Sequence, residues 1–407
     1  MLRRTSACAS LLRRCRFLST AAAPSSLSLS HLAHQCRVQF QAADAARTHV
    51  EVVPVLSAED FALRVSSAAD LDVQSLLSIE EEGADAVTTL RVTKKSGVDI
   101  DATVQLLLPH TVDLNVAVAN GSVTLQDKVE GDVKVVVGRG DVTVNKVRGK
   151  AVSLKTNGGR IHVAALVEGA TVRLEASESV SCKRLMAGNA EVKLGKGAPS
   201  DSDFGAIYAS TCTVVSTNQS GEAALRVGNV HGYLRVASEG LKSVQVDSVT
   251  GALEVEDSGD KCNVVAHFDS WTNEASSSIL TGGDVRVSLQ PAAPIEVELH
   301  GTKVTVGDGC AFDNSEMDQL DEDYAVFTGE LRAQEGAMAA ASASTGKINV
   351  DSAKDDAMRT SFFMQEGAVD KDEEAKSPRL FVHALSGEVT LDQLNWMDNI
   401  KRKHLKR

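Results

Sequence analysis

Hydrophobic and polar residues alternate with a period of two along most of this chain. A typical run is Gly140-Asp-Val-Thr-Val144, in which every second residue is apolar and the run begins at a glycine. Strict alternation predicts β-strands that bury one face, and the intervening Gly, Asn and Asp residues predict turns. Leucine-rich and helix–turn–helix repeats do not fit, because the apolar spacing is two rather than that of a helix.

The alternating runs are organised in a repeat of about 20 residues. Each unit contains two runs of about five residues, and four units begin at 121, 140, 159 and 179, in steps of 19, 19 and 20. The pattern resumes at Gly221 and Lys242, with fragments at Gly283, Gly346 and Gly387. A constant period with small apolar residues favours an all-β fold, a single-stranded parallel β-solenoid (β-helix) of ~20-residue coils with an N-terminal β cap. An antiparallel β-sandwich or meander remains the alternative.

This interpretation divides the chain into five parts. Residues 1–43 are predicted to be a targeting segment, 44–110 the N-terminal strands and cap, 111–309 the regular β-solenoid, 310–395 terminal coils with acidic insertions, and 396–407 a basic C-terminal tail. Strands are expected at 49–55, 61–65, 87–92 and 98–108, with a short helix in 70–83. We expect a cap because an open solenoid end presents a row of unpaired backbone groups.

The N-terminal segment has the composition of an organelle import signal. Residues 1–43 contain six Arg and no acidic residue, and Arg13, Arg14 and Arg16 interrupt any apolar core of a secretory signal. We expect a mitochondrial, matrix-directed leader cleaved between roughly Leu18 and Ser26. A disordered basic tail and a plastid signal are the alternatives.

Net charge argues against a nucleic-acid partner. The chain carries 42 basic and 55 acidic residues, and without the leader 36 basic residues face 55 acidic ones. Phosphate neutralisation requires clustered Lys and Arg, so such an acidic body is a poor general nucleic-acid binder. The sequence contains no apolar run of 18 residues, and we therefore expect no transmembrane segment.

The chemistry-bearing residues do not form a recognisable motif. Beyond the leader the cysteines stand at 182, 212, 262 and 310, with no zinc-ligand spacing, and are expected to be small buried side chains. The histidines are scattered singly, and His162 and His231 fall at different points of their repeats, so no stacked ladder is expected from them. We predict no catalytic, cofactor-binding or metal-binding residue.

An acidic stretch between Cys310 and Ala337 is the sharpest candidate for a cation site. It contains Asp313, Glu316, Asp318, Asp321, Glu322 and Asp323, but lacks the glycine and terminal Glu spacing of an EF-hand. A solvated acidic loop is the preferred interpretation. The alternative is that residues 313–323 bind calcium. The basic tail 401–407 could contact lipid or RNA, although a solubilising tail is the simpler interpretation.

One run resembles a known family. Residues 104–125 contain a strand ending in Leu108-Pro109, an alternating strand, and then Asn120-Gly121 followed by Ser-Val-Thr-Leu125; Asn157-Gly158 repeats the Asn-Gly signature. This is similar to the opening of the adhesin-like β-solenoid domain-of-unknown-function family, in its eukaryotic mitochondrial branch, over roughly residues 98–391. The resemblance implies a right-handed β-solenoid without an assigned reaction, and it supplies no catalytic residues. The leader departs from the surface setting of the bacterial members.

These observations lead to two expected functions. The first is a non-catalytic mitochondrial β-solenoid scaffold or binding protein, not an enzyme, with protein partners along its flat face and no cofactor. The rival is a β-helical enzyme acting on a polysaccharide or other anionic polymer, which requires paired carboxylates across a groove.

Overall fold

The computed structural model describes residues 25–29, 36–42, 47–67, 77–84, 87–94, 101–195, 200–271, 276–290, 294–321, 323–333 and 378–394. Strands account for nearly all of them, with a single 3₁₀ turn at Ala58–Asp60. The predicted import signal upstream of residue 25, the repeat fragment at Gly346 and the basic tail 396–407 lie outside the described residues. So does most of a second predicted acidic insertion, residues 353–379.

The first thirteen strands are β1 Ser25–Ser28, β2 Cys36–Ala42, β3 Arg47–Val55, β4 Ala62–Ser67, β5 Leu77–Ala84, β6 Val87–Lys94, β7 Asp101–Pro109, β8 Val112–Glu130, β9 Val133–Arg139, β10 Val142–Arg148, β11 Ala151–Thr156, β12 Ile161–Ala176 and β13 Val180–Leu194. The others are β14 Ser202–Ser216, β15 Ala224–Ser238, β16 Ser243–Asp257, β17 Asn263–Ser270, β18 Ser276–Thr281, β19 Val285–Leu289, β20 Ile295–Gly301, β21 Lys303–Val306, β22 Phe312–Asp321, β23 Tyr324–Leu331, β24 Arg379–Ala384 and β25 Glu388–Gln393.

Each coil contributes one strand to each of two faces, which we name A and B. Face A follows the order β6, β2, β8, β9, β11, β12, β13, β14, β15, β16, β18, β24, β20, all paired in parallel. Face B follows β7, β3, β8, β10, β12, β13, β14, β15, β16, β17, β19, β25, β21. The long strands β8 and β12–β16 turn a corner and serve both faces. The predicted parallel β-solenoid is confirmed, and the antiparallel sandwich is wrong for this stack.

The core is a set of apolar rows that run along the solenoid axis. The alternation of each strand places small apolar residues inward, and the register aligns them from layer to layer. One buried row can be followed through the stack: Phe40, Val116, Val135, Leu154, Leu174, Val192, Val214, Val236, Val255, Ile279, Val382 and Leu299. Burying a Val or Leu side chain stabilises the fold by about 1.5–3 kcal/mol. Because these residues pack against the same rows in the layers above and below, each coil is stabilised mainly by its neighbours.

Side chains at the turns fasten each coil to the next. Asp132 Oδ1 accepts hydrogen bonds from the Lys150 and Ala151 amides at 2.9 Å, and Asp141 Oδ1 accepts one from the Arg160 amide at 2.8 Å. These bonds explain why the repeat places Asp beside Gly at its turns. They satisfy amides that would otherwise be left unpaired at the corner.

At both ends of the stack, the coils do not follow the order of the sequence. The strands β2 and β3 lie between the β6–β7 coil and β8, although residues 87–109 immediately precede β8 in the chain. At the other end β24 and β25 lie between the β18–β19 coil and the β20–β21 coil. A terminal segment of the chain therefore forms the penultimate layer at each end.

The turn hydrogen bonds follow this insertion. Asn263 Oδ1 accepts from the Asp284 amide at 3.0 Å, 21 residues on, but Asp284 Oδ1 accepts from the Glu388 amide at 3.0 Å, 104 residues on. The β24–β25 coil thus occupies the place that the next coil in sequence would have taken.

Antiparallel strands close both ends. β5 pairs with β6 and β4 with β7 at one end, while β23 pairs with β20 and β22 with β23 at the other. The prediction that β-strands cap the N-terminal end is confirmed. However, β3, predicted as part of the cap, lies inside the stack between β7 and β8. The helix predicted in residues 70–83 is wrong where the chain is described, because 77–84 is a strand.

The range predicted as the targeting segment, residues 1–43, contains a strand of the stack. β2 lies within residues 1–43, and its Val38 and Phe40 are fully buried. The alternating sequence from Cys36 to Ala42 follows the same rule as the other coils. The predicted cleavage window, 18–26, lies upstream of this strand.

Candidate functional site

The insertion of β24 assembles a group of ring-bearing side chains on the outer surface of face A. The register pairs Leu280 with His383 and His383 with His300, in one row of outward positions. Phe381 stands in the adjacent row beside Glu298, and Tyr324 lies at the start of the capping strand β23. We call His300, Tyr324, Phe381 and His383 the aromatic patch.

The patch is held together by short polar contacts around His300. His300 Nδ1 lies 2.8 Å from the Tyr324 hydroxyl, and Nε2 lies 2.8 Å from Glu298 Oε1. Glu298 also receives an ion-paired hydrogen bond from Arg379. The His300 ring centroid lies 5.4 Å from the rings of both Phe381 and His383, within the range of favourable aromatic contacts.

The surroundings determine the charge of these groups. The hydrogen bond from His300, followed by that from Arg379, holds the pKa of Glu298 below its ordinary value, so it is a carboxylate at neutral pH. Burial, followed by the nearby His300, lowers the pKa of His383. His383 is therefore neutral at pH 7.

This arrangement is better suited to contact than to catalysis. Both ring nitrogens of His300 and the Glu298 carboxylate are already engaged by neighbours. Tyr324, Phe381 and His383 are half-buried on the outer surface of a sheet. Tyr, Phe and Arg side chains, which the patch and its neighbour Arg379 supply, are among the types enriched at protein interfaces.

A second histidine, His267, lies between a serine and an aspartate as in a Ser–His–Asp triad, but it is fully buried. His267 Nδ1 lies 2.8 Å from Ser288 Oγ and Nε2 lies 3.0 Å from Asp269 Oδ1, while Ser248 bonds to the other Asp269 oxygen. His267 is 0% exposed and Ser288 1%. A substrate cannot reach the serine, and the network satisfies polar groups inside face B.

The remaining histidines and the cysteines are placed as parts of the fold. His231 stacks on Tyr208 with ring centroids 4.6 Å apart, while His162 lies in a different row beside Ser181, so the prediction that they share no ladder is confirmed. The thiols of Cys182, Cys212 and Cys262 are buried, which raises their pKa values to about 12. We call these three the buried cysteines. Their predicted burial is confirmed.

The acidic stretch is a hairpin, and its prediction as a loop is wrong. β22 runs from Phe312 to Asp321 and pairs with β23, and its negative side chains lie along the outermost strand of the stack. Charge on an edge strand discourages pairing with other chains. Asp313 is ion-paired with Arg332, which lowers the pKa of the carboxyl. Among the residues that the structure describes, no three His, Cys, Asp or Glu side chains are grouped so as to hold a metal ion.

Sequence reasoning missed the aromatic patch. His300 and His383 are 83 residues apart, and only the insertion of β24 makes them neighbours. The one available signal was Gly387-Glu-Val-Thr-Leu391, a coil-like run separated from the regular repeats. Nothing in its pattern identifies the coil against which it packs.

Among the described residues, no helix is long and apolar enough to cross a bilayer.

Comparison with known proteins adds little. No protein family matches the sequence, and no curated protein does. A crystal structure described as "a putative cell adhesion protein" from Clostridium sporogenes ATCC 15579 aligns with 91% of this chain and 100% of that chain at 7% identity, with a TM-score of 0.14. An alignment with so low a TM-score does not establish a shared fold. The similarity to the adhesin-like family thus stays a sequence resemblance, and its mitochondrial branch stays a prediction.

Proposed function

We propose that this protein is a non-catalytic scaffold or binding rod of mitochondria, and that a protein partner docks on face A at the aromatic patch. The observation that carries the proposal is the gathering at one place of four ring-bearing side chains, two of them histidines, in a chain where Phe, Trp and Tyr make up only 4%. A rigid stack of coils provides the long, flat surface on which such an anchor is useful.

The charged residues on the rest of face A support a role in binding rather than in catalysis. Outward charges are paired between neighbouring coils, as in Arg235–Glu254 at 3.3 Å, where Glu254 lies two layers from Phe381, and in Arg173–Glu191 at 2.7 Å farther along the stack. Because both signs of charge alternate in this way, neither sign dominates the face, and the aromatic patch is its distinctive contact surface. Mitochondrial residence is proposed from the acid-free, Arg-rich N-terminal sequence alone.

The test is proximity labelling in cells with the tagged full-length chain. The proposal predicts a labelled set dominated by one mitochondrial matrix assembly. A Phe381→Ser or Tyr324→Ser variant should lose that set. Tyr208→Ser is the matched control, since it removes a half-buried ring from face B and should retain the set.

Three results would contradict the proposal. A secretory or surface neighbourhood would remove the mitochondrial assignment. An unchanged labelled set in both patch variants, with the fold verified by circular dichroism, would remove the patch as the docking surface. Release of reducing ends from an anionic polysaccharide by the purified protein would favour the β-helical enzyme instead.

A further inference from the structure

A cleft of about 520 Å³ opens at the corner between faces A and B, near the other end of the stack. The polar side chains around it come from three successive layers: Arg47 and His49 from β3, Asn120 and Ser122 from β8, and Arg139 and Asp141 from the β9–β10 corner. The volume lies within the range of small-molecule sites.

The two arginines of the cleft lie in one row. Asn120 pairs in register with Arg139, and Thr48 pairs with Gly121, so Arg47 stands on the other side of Asn120. Two layer spacings, about 10 Å, separate the two arginine backbones. Their side chains can therefore approach a single ligand from both sides of the middle layer.

These arginines are exceptions to the charge pairing of the rod. Most arginines of the described chain lie within 4 Å of a carboxylate. Arg47 and Arg139 make no such ion pair with any residue that the structure describes. The carboxylate lining the cleft belongs to Asp141, whose Oδ1 already accepts the Arg160 amide at 2.8 Å. Asp101 stands opposite Arg47 on β7 and has an interaction of its own.

The remaining lining supplies hydrogen-bonding groups and room. His49 Nδ1 lies 2.7 Å from Ser122 Oγ, which fixes both side chains at the edge of the cleft. Gly121 and Gly140 form part of its wall, and an added Cβ at Gly140 would lie 1.7 Å from the Gly121 carbonyl oxygen. The corner therefore keeps bare backbone beside two permanently charged guanidinium groups.

We infer that this cleft is a binding site for a phosphate monoester, held between Arg47 and Arg139, with Asn120, His49 and Ser122 available to hydroxyl groups of the esterified part. Guanidinium groups bind phosphate oxygens through paired, charge-assisted hydrogen bonds. The site exists because the β2–β3 coil is inserted against β8, which brings Arg47 beside Asn120. It is independent of the function proposed for face A.

The test is calorimetric titration of the full-length chain with inorganic phosphate and with glycerol 3-phosphate, at an ionic strength held constant with chloride. The inference predicts saturable binding that Arg47→Gln and Arg139→Gln each weaken by roughly tenfold or more. Arg184→Gln is the matched control: it removes an exposed arginine of face B that makes no ion pair within the described residues, and it should leave the affinity unchanged.

A second arm distinguishes a soluble ligand from a lipid headgroup. Co-sedimentation with vesicles containing phosphatidic acid, compared with neutral vesicles, should show binding that Arg139→Gln abolishes if the ester is a lipid. Saturable binding of inorganic phosphate, glycerol 3-phosphate or phosphatidic acid vesicles, weakened by the variants of Arg47 and Arg139 and unchanged in Arg184→Gln, supports the site. The site is overturned if none of these three probes binds, or if Arg184→Gln loses as much affinity as the cleft variants.

Discussion

At Gly121, a single added methyl group would collide with the inserted N-terminal coil. The glycine sits at the corner of β8 with φ +138°, and an added Cβ would lie 1.8 Å from the carbonyl oxygen of Thr48 on β3. An ordinary contact needs about 3.5 Å, so Gly121→Ala requires β3 to move away from β8 by more than an ångström.

The cost of that substitution has two sources. A side chain at this positive φ costs about 1–3 kcal/mol. Displacement of β3 weakens the hydrogen bonds that join residues 48–52 to 121–125, each contributing about 0.5–1.5 kcal/mol net. We expect the local opening free energy of β3 to fall by about 4 kcal/mol. Gly221→Ala is the control, since at φ +68° it meets nothing within 4 Å and should cost about 1–2 kcal/mol.

Hydrogen exchange read by mass spectrometry is the appropriate assay, because a solenoid opens locally and a global melting curve averages over the coils. Faster exchange in β2 and β3 of Gly121→Ala, with β13–β15 unchanged, is the expected result. If β3 exchanges no faster than in Gly221→Ala, β3 does not lie against β8 and the insertion of this coil is refuted.

Three further predictions concern the chain end, a titrating residue and the thiols. Removal of residues 1–24 should leave the fold and its resistance to proteolysis intact. Removal of residues 1–43 deletes β2 with its buried apolar residues and should make the adjacent coils protease-sensitive. Equal resistance of the two truncated chains would contradict the position of β2. The pKa of His383 is lowered in the folded protein, so the unfolded chain binds a proton at this residue more readily. The stability that His383 contributes above about pH 6.5 is therefore lost as the pH falls below that value. Between pH 7.5 and 5.5, the urea midpoint should drop less in His383→Gln than in the unchanged chain, and an equal drop would show that the residue is not shielded from water. Peptide-resolved alkylation of the native protein at pH 8 should spare the buried cysteines and modify the half-exposed Cys310 first, slowly, since its pKa is raised to about 11.

Local pattern was sufficient to predict the coil. Alternation with period two fixes which side chains of a run face inward, and the Gly and Asp residues of each turn determine where the chain bends. The strands β3, β4, β6 and β7 lie close to the runs predicted for them. The inward row from Val116 to Ile279 follows directly from that repetition.

The order of coils at the two ends could not be predicted in the same way. Every coil presents the same alternation on its upper and lower edges, so β24 satisfies the backbone of β18 as well as β20 would. The β18–β19 and β20–β21 coils are also separated in the sequence by about one repeat length. The sequence therefore gives no sign that another coil lies between them in the structure. Both candidate sites depend on this order: His383 reaches His300, and Arg47 reaches Asn120, through inserted coils.

The hairpin β22–β23 was missed for a related reason. Its outer strand exposes nearly all its side chains, so β22 lacks the buried alternation by which the other strands were recognised. An edge strand that pairs on one side and carries repeated negative charge has the composition of a loop.

Oxidative trapping of paired cysteines tests the insertion of the C-terminal coil most directly. The register places Arg286 beside Thr390, and Thr390 beside Thr305, so neighbouring pairs have Cα atoms about 4.8 Å apart and Arg286 lies about 10 Å from Thr305. Disulfides form when the Cα atoms lie about 4.4–6.8 Å apart. In a Cys310→Ser background, Arg286→Cys with Thr390→Cys should form an intramolecular disulfide, and Arg286→Cys with Thr305→Cys should not. The reverse result would place β21 directly against β19 and contradict the inserted coil on which the aromatic patch depends.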